Sequence, residues 1–369
     1  MNNKFYIGTM SKNIVDSVIE LKKSTGINVR LIPSRRQVDF NGGYCNKWTT
    51  KEFFNYANYV TLKRDHSGPN QGYNIDDGFE SLKEDCKYMD VIHIDPWKKY
   101  QDYESGLNET IKALNYCYNE NPNLFFEIAT EEGIRRFEVD QLEKFILDLQ
   151  KQIKPEIYER IKYFVVQCGT GLLEASNIGC YEKDRLKKMV ELCKKYGFIS
   201  KEHNGDWVSI DLMREKFELG LDCINVAPEL GQIETKAILK EIKKIEDITI
   251  RTELFETFFK ICLNSKKWVK WVSKDFKPEE NKEKLINICG HYVFSYKDFK
   301  EIKSKLPNVD KFIKRDLLIK LREYHSLYDS YYKVLITTSG VGSRLGDLTK
   351  YTNKSLIKIG DKFAICHII

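Results

Sequence analysis

Val60-Thr-Leu-Lys-Arg-Asp-His66, followed by Val91-Ile-His-Ile-Asp95, decides the fold of this chain: a short apolar run ends in polar, chemically useful residues, and the pattern then recurs. The other runs are Phe5-Tyr-Ile-Gly-Thr-Met10, Val29-Arg-Leu-Ile-Pro-Ser34, Leu124-Phe-Phe-Glu-Ile-Ala-Thr-Glu131, Tyr163-Phe-Val-Val-Gln-Cys168, Ile199-Ser-Lys-Glu-His203 and Cys223-Ile-Asn-Val-Ala227. Neighbouring runs lie roughly 25 to 40 residues apart, the length of one strand plus a crossover helix. Eight such units in about 230 residues match an α/β fold of the (β/α)₈ TIM-barrel type, whose active sites sit at the carboxyl ends of the strands. Here those ends carry Asp65, His66, Asp95, Glu131, Gln167, Cys168, His203 and Asn225, which predicts an enzyme.

Working outward, 369 residues accommodate one large barrel and something more. Hydrophobic residues at 42% and charged residues at 31% describe an ordinary globular protein. The net charge of +6 is spread along the chain, so no basic stripe marks a nucleic-acid partner. Ten cysteines stand as singles without a C-x-x-C pair, as expected of free thiols in a reducing cytoplasm. No signal peptide is evident, and no run approaches the ~20 apolar residues of a membrane span, so no membrane partner is expected.

Helical spacing appears between the runs. Ile14, Val15, Val18, Ile19 and Leu21 share a face, as do Ile111, Leu114 and Tyr118, and Leu142, Phe145, Ile146 and Leu149. Asp76 and Asp77 are placed to open the helix after the third run. The expected divisions are a barrel over 1–231, a helical appendage over 232–330, and a third segment over 331–369. The appendage carries helical spacing in Leu254-Phe-Glu-Thr-Phe-Phe-Lys-Ile-Cys-Leu263 and Leu317-Leu-Ile-Lys-Leu321. The third segment starts a new β pattern at Lys333-Val-Leu-Ile-Thr-Thr338 with glycines at 340, 342 and 346, the first βα unit of a Rossmann-like domain that looks truncated.

Asp65 beside His66 suits metal-assisted proton transfer: the imidazole ligates and the carboxylate takes or returns a substrate proton. The alternative is a turn-capping Asp65 and a rim histidine. His203 is the natural second ligand. His93 falls out of phase with Asp95 in this reading and is assigned a structural role. Glu131 could ligate or polarise a metal-bound water, with Glu132 a competitor, whereas Glu127 is expected to be buried and hydrogen-bonded. Asn225 either holds a substrate hydroxyl or enediolate oxygen, or satisfies the barrel rim. Arg35 and Arg36, beside Gln37 and the glycines 42 and 43, could hold a phosphate.

At these residues the chain resembles the class II ketose-bisphosphate aldolase superfamily, and most nearly the accessory (Z-type) subunits of D-tagatose-bisphosphate aldolase. The resemblance spans roughly residues 1 to 330. It rests on Ser34-Arg-Arg-Gln-Val-Asp-Phe-Asn-Gly-Gly-Tyr44, Asp65-His-Ser-Gly-Pro-Asn70, Ile92-His-Ile-Asp95, Ile128-Ala-Thr-Glu131, Val165-Val-Gln167 and Asn225-Val-Ala-Pro-Glu229. It continues through Trp268-Val-Lys-Trp271 and Tyr292-Val-Phe-Ser-Tyr296. It implies Asp65 as the proton-transfer residue and His66 and His203 as zinc ligands. The superfamily's zinc histidine at the sixth strand is replaced by Gln167-Cys-Gly-Thr-Gly171, so either Glu131 or Cys168 completes the site, or the metal is bound weakly or is absent. Ser34, Arg35, Arg36, Gln37, Gly42, Gly43, Asp95 and Gln167 would then bind substrate.

Leu335-Ile-Thr-Thr-Ser-Gly-Val-Gly-Ser-Arg-Leu-Gly346 and Lys354-Ser-Leu356 resemble the amino-terminal signature of sugar-1-phosphate nucleotidyltransferases. That resemblance implies Gly340, Gly342, Arg344 and Lys354 at nucleotide phosphates, with Mg²⁺ when the domain is complete. Three functions follow as expectations. The first is a metal-dependent aldolase acting on a phosphorylated ketose or dihydroxyacetone phosphate-like substrate, in a bifunctional protein that activates the sugar for surface polysaccharide synthesis. The second is a non-catalytic stabilising subunit for a partner aldolase. The third is a nucleotidyltransferase with a regulatory barrel. A homo-oligomer or a partner aldolase subunit fits the first two.

Overall fold

A computed structural model describes residues 4–27, 29–174, 176–328, 358–359 and 362–363. The chain divides into two compact units, Met1–Tyr328 and Asp329–Ile369. In the second, an antiparallel pair, Lys358–Ile359 with Lys362–Phe363, is described. Gly340, Gly342, Arg344 and Lys354, expected at nucleotide phosphates, lie outside the described residues.

The first unit is a barrel. Its strands are β1 (Phe5–Ile7), β2 (Arg30–Leu31), β3 (Lys63–Ser67), β4 (Val91–Ile94), β5 (Phe125–Ile128), β6 (Ile161–Val166), β9 (Ile199–Glu202) and β10 (Cys223–Val226). A small hairpin, β7 (Leu172–Leu173) and β8 (Ser176–Asn177), rises from the loop after β6. The barrel strands are all parallel in the order β2-β1-β10-β9-β6-β5-β4-β3. Bridges Leu31–Leu62 and Ser34–Asp65 join the two ends, so the ring closes and no long sheet edge is left open.

Period-two alternation sorts the strand residues. Ile92, Ile94, Phe126, Ile128, Phe164 and Val166 belong to the main core against the surrounding helices. Tyr6, Ile32, Val91, Tyr163 and Cys223 form a separate small cluster. The ammonium of Lys63 lies 4.1 Å from the Tyr163 ring centre and that of Lys201 4.1 Å from the Tyr6 ring centre, so the interior holds cations where most such barrels stack branched aliphatics.

Helices α1 (Lys12–Thr25), α2 (Thr50–Ala57), α3 (Phe79–Tyr88), α4 (Tyr103–Glu120), α5 (Val139–Gln152), α6 (Pro155–Tyr158), α7 (Lys183–Lys195), α8 (Ile210–Glu218) and α9 (Pro228–Lys243) follow the strands. The apolar periodicities over 14–21, 111–118 and 142–149 fall within α1, α4 and α5. The helix after β3 starts later than expected. Its N-cap is Gly78 in the left-handed region, because Asp76 is taken up by an ion pair with Arg35 and only Asp77 serves the first turn, accepting from the Phe79 amide. α9 runs through residue 231, since its buried face from Leu230 to Ile242 is continuous.

Four more helices, α10 (Ile248–Ser265), α11 (Lys282–Cys289), α12 (Lys297–Ser304) and α13 (Val309–His325), complete the unit. Tyr324 of α13 stacks on Phe5 of β1 at 4.8 Å and donates its hydroxyl to Glu229 at 3.0 Å. The segment 266–296 between α10 and α12 reaches the opposite end, where Trp271 donates its indole N–H to the Tyr292 hydroxyl at 3.1 Å.

Candidate active site

Three imidazoles meet at the carboxyl ends of the strands. His66 ends β3, His93 lies within β4 and His203 follows β9, and the three ring centres are each 5.1 Å from the other two. One nitrogen of each ring lies within 4.8 Å of the others, a grouping able to hold a metal ion.

The other nitrogen of each ring is occupied, which orients the trio. His66 Nδ1 is 2.6 Å from Asp95 Oδ2, His93 Nε2 is 2.8 Å from the Ala129 carbonyl, and His203 Nε2 is 2.7 Å from Glu127 Oε1. A ring that donates to a carboxylate or carbonyl presents a lone pair on its opposite nitrogen, the outer-shell arrangement of metal-ligating histidines. His66 Nε2, His93 Nδ1 and His203 Nδ1 are therefore the convergent atoms; the His66 backbone N–H reaches His93 Nδ1 by a long 3.3 Å bond that a divalent ion such as zinc would have to displace, and the donor set otherwise fits such an ion. Asp65 faces the same point. Its Oδ1 is 3.8 Å from His93 Nδ1 and 4.0 Å from His203 Nδ1, and its Oδ2 is 3.8 Å from His66 Nε2.

Backbone strain helps hold this geometry. His66 has φ 46° and Ala129 φ 77°, left-handed values that cost a non-glycine residue free energy and persist where the surroundings enforce them. Gly68, at φ 129°, is needed for a close approach: a Cβ there would meet the Asp95 carbonyl at 3.0 Å.

Beneath the trio lies a buried ionic network. Glu127 Oε2 pairs with Lys63 and, at 3.0 Å, with Lys201, while Oε1 holds His203. Burial pushes both lysines down in pKa, Lys63 well below the ordinary lysine range. Burial also brings His93 to about 4 and His203 to about 3, so both are neutral at physiological pH. His66 differs: burial opposes its charge, but the Asp65 carboxylate and the hydrogen bond to Asp95 outweigh it and lift the ring to about 10. Asp65 stays ionised, well below the usual carboxylate range; burial works against this, and His66 and the His93 contact overcome it.

The expected site residues separate into two groups. Asn225 Nδ2 donates to Asp65 Oδ1 at 3.2 Å, and Ser34, Arg36, Gln37, Asp65, His66 and Glu131 all line a cleft of about 490 Å³ over the trio. Glu131 stands in the loop beyond β5 and accepts from Asn204 at 2.7 Å. Asp95 is fully buried and orients His66 instead of meeting substrate. Gly42 and Gly43 line an adjoining hollow of about 400 Å³ with Lys47 and Lys267.

The others point elsewhere. Arg35 is 2% exposed and spent on Asp39, Asp76 and the Gly68 carbonyl. Gln167 accepts from the Phe137 amide and donates to the Thr130 and Arg135 carbonyls, pinning the β5 loop. Cys168, expected near the metal, donates instead to Glu202 at 2.9 Å beside Lys216. Tyr163 faces the barrel interior, so parity turns Cys168, five residues on, to the helix side.

The third imidazole is His93, to which the sequence reading gave a structural role. Positions 93 and 95 are two apart and share a face, so the alternation that places Asp95 at the site places His93 there as well. Glu127, expected to be buried and hydrogen-bonded, is the partner of His203. Lys98 of the cleft wall carried no signal in the sequence, and Lys270, Trp271 and Tyr292, though they fall in strings on which the resemblance rests, were assigned no role at the site.

No protein-family model matches the chain, and no curated protein matches it in sequence. Solved structures match it in fold. A probable tagatose 6 phosphate kinase from Sinorhizobium meliloti 1021 superposes with a TM-score of 0.69 at 13% identity, covering 88% of this chain and 100% of that one. The fructuronate-tagaturonate epimerase UxaE from Cohnella laeviribosi gives 0.62 at 10% identity, over 88% and 81% of the two chains. The YdjI aldolase from Escherichia coli K12 gives 0.53 at 13% identity, over 88% and 92%. At these identities the likeness is one of fold. Among the described residues no helix is long and apolar enough to cross a membrane.

Proposed function

We propose that the barrel unit is a zinc-dependent aldolase of the class II type, acting on a phosphorylated ketose. The observation that carries this reading is the trio of oriented imidazoles with Asp65 set within 4.0 Å of all three. A divalent ion held by His66, His93 and His203 would polarise a substrate ketone as a Lewis acid. Asp65, kept ionised, accepts the proton of the hydroxyl on the carbon being released. The carbon–carbon bond then breaks, the aldehyde leaves, and the bonding pair stays on the ketone-bearing fragment as an enediolate. In the addition direction the same carboxylate returns the proton. Asn225 fixes Asp65 through its amide N–H, while its own buried Oδ1 has no hydrogen-bond partner among the described residues and is free to accept from a substrate hydroxyl.

The test is turnover of the purified protein with dihydroxyacetone phosphate and a panel of aldehydes, with and without zinc. Zinc-dependent condensation is expected. Asp65→Asn keeps the shape and removes the base, so turnover should fall at least ~100-fold with metal content unchanged. Full activity in that variant removes Asp65 from the mechanism, and a wild type inactive on every pair favours a stabilising subunit for a partner aldolase.

For the second unit we propose a nucleotide-handling role of the sugar-1-phosphate nucleotidyltransferase type, with Gly340, Gly342, Arg344 and Lys354 at the nucleotide and Mg²⁺ as its cofactor, serving surface polysaccharide synthesis from the cytoplasm. Its support is the glycine-rich string at 335–346. Pyrophosphate release from a nucleoside triphosphate and a sugar phosphate, by protein carrying this whole domain, is the test.

A further inference from the structure

One wall of the cleft collects positive charge. Arg36 comes from the loop after β2, Lys98 from the loop after β4, and Lys270 from the segment after α10. Among the described residues none of the three has a carboxylate within ion-pair distance. Arg36 donates one long bond, 3.4 Å, to the Gly72 carbonyl, and Lys98 donates to the Asn70 carbonyl at 2.5 Å. Lys270 lies over the Trp271 ring, 4.2 Å from its centre. A guanidinium has five N–H donors and an ammonium three, so most of this donor capacity faces the cleft unspent. The cations also feel one another. After burial, the nearness of Arg36 is the largest influence lowering the pKa of Lys98 and of Lys270, the latter to about 7, and Lys267 in the adjoining hollow is lowered in the same way. The cleft carries two carboxylates: Asp65, set against the imidazoles, and Glu131, engaged by Asn204. Arg36 and Lys98, with Lys270 partly charged at neutral pH, outweigh Glu131 on this side of the cleft, a positive balance suited to the anionic group of a phosphate monoester.

We propose that Arg36, Lys98 and Lys270 form an anion subsite for the phosphate monoester of the ligand, assembled jointly by the barrel loops and the helical appendage. This deepens the aldolase reading by assigning the phosphate to a wall apart from the imidazoles, and it rests on that reading for the identity of the ligand as a sugar phosphate. Arg36 supplies a fork suited to two phosphate oxygens, and the lysines act as point charges. Trp271 and Tyr292, which line the cleft beside Lys270, make the appendage part of the recognition surface as well as a brace.

Inorganic phosphate is the probe, titrated calorimetrically into the full chain after metal has been stripped with EDTA. Saturable phosphate binding is expected. Lys98→Gln and Lys270→Gln should each weaken it roughly tenfold to a hundredfold, while Lys270→Arg retains most of it. Both lysines are partly solvent-exposed, so circular dichroism should show folded variants. The proposal is overturned if phosphate does not bind, if binding requires zinc, or if the glutamine variants bind like wild type. Phosphate binding without aldol turnover would sink the aldolase reading and leave the subsite standing. Turnover that ignores the substrate's phosphate, with no phosphate binding, would do the reverse.

Discussion

Replacing His93 with glutamine separates a three-histidine centre from the His66 and His203 pair that the sequence suggested. His93 is fully buried, and its Nε2 is 2.8 Å from the Ala129 carbonyl. A glutamine amide can still donate to that carbonyl, so the strained turn at Ala129 keeps its partner while the imidazole lone pair is lost. Four-ligand zinc sites are worth about 10–16 kcal/mol in total, or about 2.5–4 kcal/mol per ligand. At ~1.4 kcal/mol per tenfold, one lost ligand should weaken metal binding roughly 10²- to 10³-fold. The ring is neutral in the apo protein, its pKa being depressed to about 4 by burial, so no proton has to leave it and the loss is undiluted at neutral pH. Cobalt titration followed by its visible absorption, with chelator competition for the tight wild-type site, measures the change. An affinity within threefold of wild type in His93→Gln, alongside loss of metal in His66→Gln and His203→Gln, would refute the three-histidine centre. A wild type that binds no metal at micromolar concentration would remove the centre altogether.

Metal binding between about pH 7 and 9 should release close to one proton per ion, because His66, at about 10, is the one ligand that enters charged, while His93 and His203 are already neutral; calorimetry in buffers of different ionisation enthalpy counts it, and a release near zero contradicts the electrostatics described above. The same ring makes the metal-free fold pH-sensitive. Its pKa is raised on folding, so its stabilising contribution is complete below about 6.5 and fades as pH rises toward about 10, which urea midpoints across that range should follow. Glu127→Gln should cost about 3–5 kcal/mol in urea unfolding, since it leaves Lys63 and Lys201 buried without the carboxylate that pairs with both. A loss under about 1 kcal/mol would mean the lysines deprotonate at little cost.

The barrel was legible because it is written in one-dimensional spacing. Eight apolar runs separated by amphipathic stretches leave few topologies open, and the helices at 14–21, 111–118 and 142–149 lie where their periodicity puts them. Asp65, His66 and His203 were legible for the same reason, being the polar residues at which apolar runs stop. What the sequence alone could not settle was direction and company. Alternation lets each strand point a residue inward or outward, and a slip of one reverses the assignment. The closed ring turned Cys168 to the helix side, whereas His93, two residues from Asp95, was within reach of alternation and was missed by a wrong phase. Arg35 and Arg36 are neighbours of the same type. One is spent on Asp39 and Asp76 inside the protein while the other faces the cleft, a difference made by Asp76, which lies far along the chain. Lys270 lies in Trp268-Val-Lys-Trp271, a string that carries the family resemblance but gives the lysine no place at the site. It comes to face Arg36 because the packing of the appendage on the barrel carries it to the mouth, and long-range packing of that kind leaves no trace in local periodicity.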